Sequence, residues 1–209
     1  MPHTLVIVAH PALQQSRANR AMLQAARGAA SHVEVRDLYA LYPDYLIDVA
    51  AEQERLAAAQ LVVWQHPIQW YSMPPLMKLW LDEVLTVGWA YGPGGRALRG
   101  KDLWLAASTG STQESYHPSQ YNRYFFDAFL PPYEQTAALC GMRFLPPLLL
   151  HGVHRAGEAE MQAHAAVYAS RLATYPVWPE LDDLPGCADC DMPATERPAV
   201  QPLSAGRGT

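Results

Sequence analysis

Alternating strand and helix patterns predict an α/β domain, a doubly wound five-stranded parallel sheet with helices on both faces. Three observations carry this. Short runs that are apolar throughout, such as Leu5-Val6-Ile7-Val8-Ala9, read as strands buried on both faces. Stretches of helical length and pattern separate them. Three of the runs end in polar or aromatic loops, and sheets of this kind bind ligands at the carboxyl ends of their strands.

The first strand, Leu5 to Ala9, is ended by His10-Pro11, and Asn19 to Ala30 reads as an Ala-rich helix. Val33 to Arg36 alternates apolar and charged residues, as an edge strand does. Ala50 to Ala59 is helical, Leu61 to Trp64 is a buried strand, and Pro74-Pro75 opens a helix through Leu85. Proline suits a first helical turn because its missing N–H has no helical partner there. Leu103 to Ala107 is the fourth strand, and a helix is expected over Phe125 to Leu139. Phe144 to Leu150 supplies a fifth strand, in which Pro146-Pro147 requires an edge or strand-start position. Glu158 to Tyr175 is the last helix. From Pro179 the chain has five prolines and no apolar period, so residues 1–178 are expected to form the domain and 179–209 a disordered tail.

Half of the 209 residues are hydrophobic and 17% are charged, the balance of a globular enzyme with one sizeable core. A formal net charge of −5 supplies no basic excess, which argues against nucleic acid as a partner. The start lacks a basic n-region before its first apolar run, and no apolar run is long enough to span a bilayer. Three cysteines make no disulfide framework, so a cytoplasmic protein is expected.

The loop from His10 to Asn19 leads from a strand into a helix, whose N-terminus offers free N–H groups and partial positive charge to a phosphate. Ser16 and Asn19 can add neutral donors, and His10 and Arg17 can add charge. The alternative is that Ser16 or Asn19 only caps the helix. The second loop, His66 to Pro75, holds Gln69-Trp70-Tyr71 between prolines at a strand end. An amide and two aromatic rings suit a flat heteroaromatic ligand, against the alternative of aromatic packing beneath the next helix. In the third, Ser108-Thr109-Gly110-Ser111, small residues let backbone N–H groups approach a ligand.

Together these residues resemble the flavodoxin-like NAD(P)H:quinone oxidoreductases. The segments that carry the likeness are Ala9-His10-Pro11 with Ser16 and Asn19, Trp64 to Tyr71, Pro74 to Trp80, Gly88 to Gly92 and Ser108-Thr109-Gly110. Within that family Asp37-Leu38-Tyr39, Leu41 to Asp44 and Asp48 to Glu54 are similar to the ancillary oxidoreductases of bacterial glutathione-gated potassium-efflux systems. The resemblance implies a non-covalent flavin, FMN rather than FAD, with its phosphate near His10, Ser16, Arg17, Ala18 and Asn19. It implies a ring against Pro67, Ile68, Gln69, Trp70 and Tyr71 on one side and Ser108, Thr109, Gly110 and Ser111 on the other. NADH or NADPH would be the donor and a quinone the acceptor, with Tyr116 giving a hydrogen bond to the quinone oxygen. The same likeness implies a homodimer, and a potassium-efflux transporter as a partner that would hold the protein at the inner face of the membrane. A regulatory subunit whose turnover is incidental, and an azo- or nitroreductase, are the rival readings. Relatives carry two threonines and two glycines in the third loop, where this chain has Ser108 and Ser111. They also place a histidine a dozen or so residues past it, a role that His117 cannot be given by position.

Other residues invite readings that the context does not support. Cys187 and Cys190 have redox or metal spacing without a second pair, and are read as a free oxidisable pair with no metal. Cys140 reads as a small buried hydrophobe. His151 and His154 read as surface or strand-end histidines, and Asp82-Glu83 as a solvated helix face.

Overall fold

The protein is described here by a computed structural model covering residues 2–184. Strands β1 (Thr4–Val8), β2 (Val33–Asp37), β3 (Leu61–Pro67), β4 (Asp102–Ser108) and β5 (Arg143–Leu150) form one parallel sheet in the order β2-β1-β3-β4-β5. The central strands β1, β3 and β4 are buried along almost their whole length, which is why they are apolar without alternation. β2 and β5 are the edges. Edge position accommodates Pro146 and Pro147, and the β4–β5 register shifts between Trp104 and Ala106.

Six helices cover the sheet: α1 (Arg17–Ala29), the short α2 (Leu38–Leu41), α3 (Val49–Ala58), α4 (Pro75–Val84), α5 (Pro131–Leu139) and α6 (Glu158–Thr174). One layer of core joins α1 and α6 to the sheet through Met22, Leu23, Tyr168 and Leu172 around Trp104. The opposite layer holds Leu56 of α3, Leu76, Met77 and Trp80 of α4, and Tyr133 and Ala137 of α5. In that layer the fully buried Glu52 accepts hydrogen bonds from Arg36, from Tyr42 Oη at 2.6 Å and from Trp80 Nε1 at 3.0 Å. A buried carboxylate is tolerable only with such partners. Cys140 is buried as expected, and burial pushes its thiol up to about 12.

Two expectations need correction. The helix expected from Phe125 is divided, with a 3-10 turn at Phe126–Phe129 ahead of α5. Pro131 and Pro132 cannot lie inside a helix but fit its first turn, so they mark a start. The folded body also continues past 178. Trp178 packs edge-on to Trp104 with ring centroids 4.8 Å apart, and Leu181 is buried beyond a 3-10 turn at Pro179–Leu181. Trp178, Leu181 and Leu184 recur every third residue, too short a period to be legible among prolines. The rest of the expected tail, with Cys187 and Cys190, lies outside the described residues.

Candidate functional site

The carboxyl ends of β1, β3 and β4 lie side by side and are stitched together there. Ala9 N–H donates to Gln65 O at 2.9 Å, and Ile68 N–H to Ser108 O at 2.7 Å. Asn19 Nδ2 donates to Ser108 Oγ at 2.8 Å, and Gln65 Nε2 to Asn19 O at 3.0 Å. Asn19 is 1% exposed, so it fastens α1 to the two central strands.

Above this floor is a cavity of about 430 Å³. Its phosphate-sized end is walled by His10, Ser16, Arg17, Ala18 and Asn19, and its middle by Pro67, Ile68, Gln69, Ser108 and Gly110. A second cavity of about 430 Å³ shares Ile68, Gly110 and His154 with the first, and adds Trp70, Tyr71, Ser111 and Tyr116. The two make one trough. All the expected site residues but Thr109 line it.

Local chemistry decides what each wall offers. Ser16 does cap α1: its Oγ accepts from Asn19 N–H at 3.2 Å and from Asn19 Nδ2 at 3.3 Å, leaving its own proton free to donate. The N–H groups of Arg17 and Ala18 come before the first helical acceptor and stay available. The charge expected from His10 is not there at neutral pH. Burial pushes its pKa down, against its own backbone hydrogen bond and the nearby Asp37. Its Nδ1 accepts from Ala12 N–H at 3.0 Å, so neutral His10 carries its proton on Nε2 as a donor. Arg17 turns its guanidinium to the loop after β5, donating to Ala156 O at 2.6 Å.

The second loop makes a hairpin turn. Gln69 and Ser72 exchange both backbone hydrogen bonds, at 2.9 and 3.0 Å, around left-handed Trp70 (φ 49°) and Tyr71 (φ 64°). Asn-Gly is the usual occupant of such a turn, because bulky residues are strained there. Trp70 gains no packing in return, being 94% exposed. That strain is the mark of a functional position.

In the third loop Thr109 lies under the surface instead of lining the trough. Its hydroxyl donates to Ser111 O at 2.7 Å, so the 2.9 Å contact with His151 is a bond from Nδ1–H of that ring. Gly110 has to be glycine for a local reason: a Cβ there would come within 2.9 Å of His154 Nε2. Tyr116 is buried at the second cavity. Burial raises its pKa, Thr109 and Ser111 pull it back in part, and the phenol stays a proton donor at neutral pH. His117 is turned away, bonded to Ser119 and edge-on to Phe125.

His151 and His154 correct the expectation of incidental histidines. His151 braces Thr109 and packs 5.5 Å from the Tyr116 ring, while His154 walls both halves of the trough. The rule that selected three strand ends applies equally to β5, whose loop carries both residues. Tyr121 and Asn122, also in the second cavity, gave no signal in the sequence.

The trough fits a flavin nucleotide. It has free helix N–H groups at one end and, at the other, the N–H groups of Trp70, Tyr71, Gly110 and Ser111, none with a backbone acceptor among the described residues. The cradle at Gly110 admits no side chain.

The fold and trough define a flavin-binding α/β protein, and the chain belongs to the flavodoxin-like fold family, whose match covers residues 2–172. It is 49% identical over 175 residues to the glutathione-regulated potassium-efflux system ancillary protein KefF of Salmonella schwarzengrund (strain CVM19633), covering 82% of this chain and 96% of that one. Among solved structures it is similar to general stress protein 14 of Treponema denticola in complex with FMN. The identity there is 40% and the TM-score 0.78, over 82% of this chain and 98% of that one. An NADPH-quinone reductase from P. pentosaceus matches at 29% identity and TM-score 0.72, over 83% and 98%. Among the described residues no helix is long and apolar enough to cross a membrane.

Proposed function

We propose that the chain is an FMN-dependent NAD(P)H:quinone oxidoreductase. The observation that carries the reading is the continuous trough in which a helix N-terminus, an aromatic turn and a Ser-Thr-Gly-Ser loop meet on one sheet edge. The FMN complex and the quinone reductase among similar structures support the cofactor and the reaction class. Bound flavin supplies the redox chemistry, accepting a hydride from nicotinamide and delivering two electrons to the acceptor.

The protein supplies position and polarity. The N–H groups of Arg17 and Ala18, the Ser16 hydroxyl and His10 Nε2–H hold the phosphate. Gln69, Trp70 and Tyr71 hold one side of the ring, and the N–H groups of Gly110 and Ser111 offer fixed donors to its polar edge, stabilising negative charge there. Thr109 acts from below by fixing the carbonyl of Ser111. Tyr116 donates to the acceptor's oxygen. The working unit is a homodimer in the cytoplasm, brought to the membrane by a potassium-efflux transporter; the KefF relatives motivate this partner. Co-purification with such a transporter, set beside turnover with quinones, separates enzyme from regulatory subunit.

Stopped-flow traces of the two half-reactions test the roles. Tyr116→Phe should slow flavin reoxidation by quinone by roughly 5- to 150-fold, the worth of one transition-state hydrogen bond of about 1–3 kcal/mol. Flavin reduction by NADH or NADPH should stay close to wild type, and His117→Ala should alter neither. Slower reoxidation in His117→Ala than in Tyr116→Phe would reverse the assignment.

A further inference from the structure

Between Tyr116 and the 3-10 turn at Phe126 the chain makes a tight turn, in which Arg123 N–H donates to Gln120 O at 3.1 Å and Arg123 is left-handed (φ 64°). Its two central residues have opposite fates: Tyr121 is 67% exposed and Asn122 6%. The Tyr121 hydroxyl donates to Ser111 Oγ at 2.8 Å, tying the turn to the loop after β4. Below it, Asn122 Oδ1 accepts from the Tyr71 hydroxyl at 3.3 Å.

That bond fixes the amide. The phenol has one proton to give and only Oδ1 can accept it, so Nδ2 is left on the other side. Nδ2 is buried and has no acceptor among the described residues, although Asn122 lines the same cavity as Tyr116. Buried donors are rarely left unmade, because the protein has then lost water and gained nothing. Two N–H bonds beside a protonated phenol make a patch that only donates, which suits a ligand oxygen that only accepts.

We propose that Asn122 is a substrate-reading residue, whose Nδ2–H donates to an oxygen of the electron acceptor together with the Tyr116 hydroxyl. This rests on the oxidoreductase reading above and deepens it by fixing the acceptor's chemistry, a carbonyl-type oxygen presented at the Tyr116–Asn122 wall. Tyr71 is then a positioning residue, holding the amide in its donating orientation.

Duroquinone, whose ring has no free position for thiol addition, is the probe. Its Kd is measured by titrating the oxidised holoprotein without nicotinamide, and reoxidation is followed separately by stopped flow. Asn122→Asp keeps an oxygen for Tyr71 and removes only the donors. It should weaken duroquinone binding and slow reoxidation, each by roughly 5- to 150-fold, while reduction by NADH is unchanged. Should the buried carboxylate prevent folding, Tyr71→Phe frees the amide to turn and should give a smaller loss in the same direction. Wild-type duroquinone affinity in folded Asn122→Asp, or in Tyr71→Phe where the first does not fold, overturns the proposal. A wild-type protein that binds no FMN fails one step earlier, and overturns the oxidoreductase reading with it.

Discussion

Beneath the trough, Asn19 is almost wholly buried, and its amide nitrogen donates to both Ser16 and Ser108. On the rim, Trp70 stands 94% exposed on a left-handed backbone, and Asn122 has an amide nitrogen with no acceptor among the described residues. The floor is built from contacts that the protein makes with itself. The rim holds strain and unmade bonds that only a ligand can repay. Stability is therefore concentrated in the one and binding in the other, and substitutions should separate the two.

The largest effect belongs to the floor and to pH. His66 ends the buried part of β3, stacked 5.7 Å from the Tyr133 ring, and burial pushes its pKa down to about 4 despite its bond to Pro67 O. An unfolded chain would protonate it near 6.5, so between these values the unfolded state binds more protons. Stability from this group is complete above about pH 6.5 and is lost as pH falls toward 4, by up to about 3 kcal/mol. His10, His151 and His164, whose pKa values burial also lowers, add to the same slope. Urea unfolding at a series of pH values should show this fall, and His66→Gln should flatten it; an unchanged slope would place the pH dependence elsewhere.

Next comes Asn19→Ala, which leaves Ser108 without its donor and should cost about 1–3 kcal/mol in urea unfolding of the flavin-free protein. A substitution on the rim should do the reverse. Trp70→Gly relieves a left-handed backbone and gives up almost no packing, so the flavin-free protein should gain about 1 kcal/mol while FMN binds more weakly. Loss of stability in Trp70→Gly would mean that the rim is not strained for function.

The same division explains what the sequence revealed. The floor and fold were legible because all-apolar runs, prolines at helix starts and a Ser cap obey local rules: Leu5 to Ala9 is buried, and Pro75 opens α4. Three loops could be chosen because the carboxyl-edge rule needs only strand order. His154 was missed although the same rule covers the end of β5, and Thr109 was misplaced because loop depth depends on His151, 42 residues away. Asn122 became visible only once a turn had brought it to Tyr71 across 51 residues of sequence. Contacts of that range leave no periodicity.

The central claim is that this trough holds FMN through the loop at Gln69 and Trp70. Titrating flavin-free protein with FMN, followed by the visible flavin spectrum, tests it most directly. The expected result is one FMN per chain for the wild type, and markedly weaker binding in the Gln69→Ala, Trp70→Ala double variant with its unfolding transition intact. Absence of FMN binding by the wild type, or undiminished binding in the folded double variant, would contradict it.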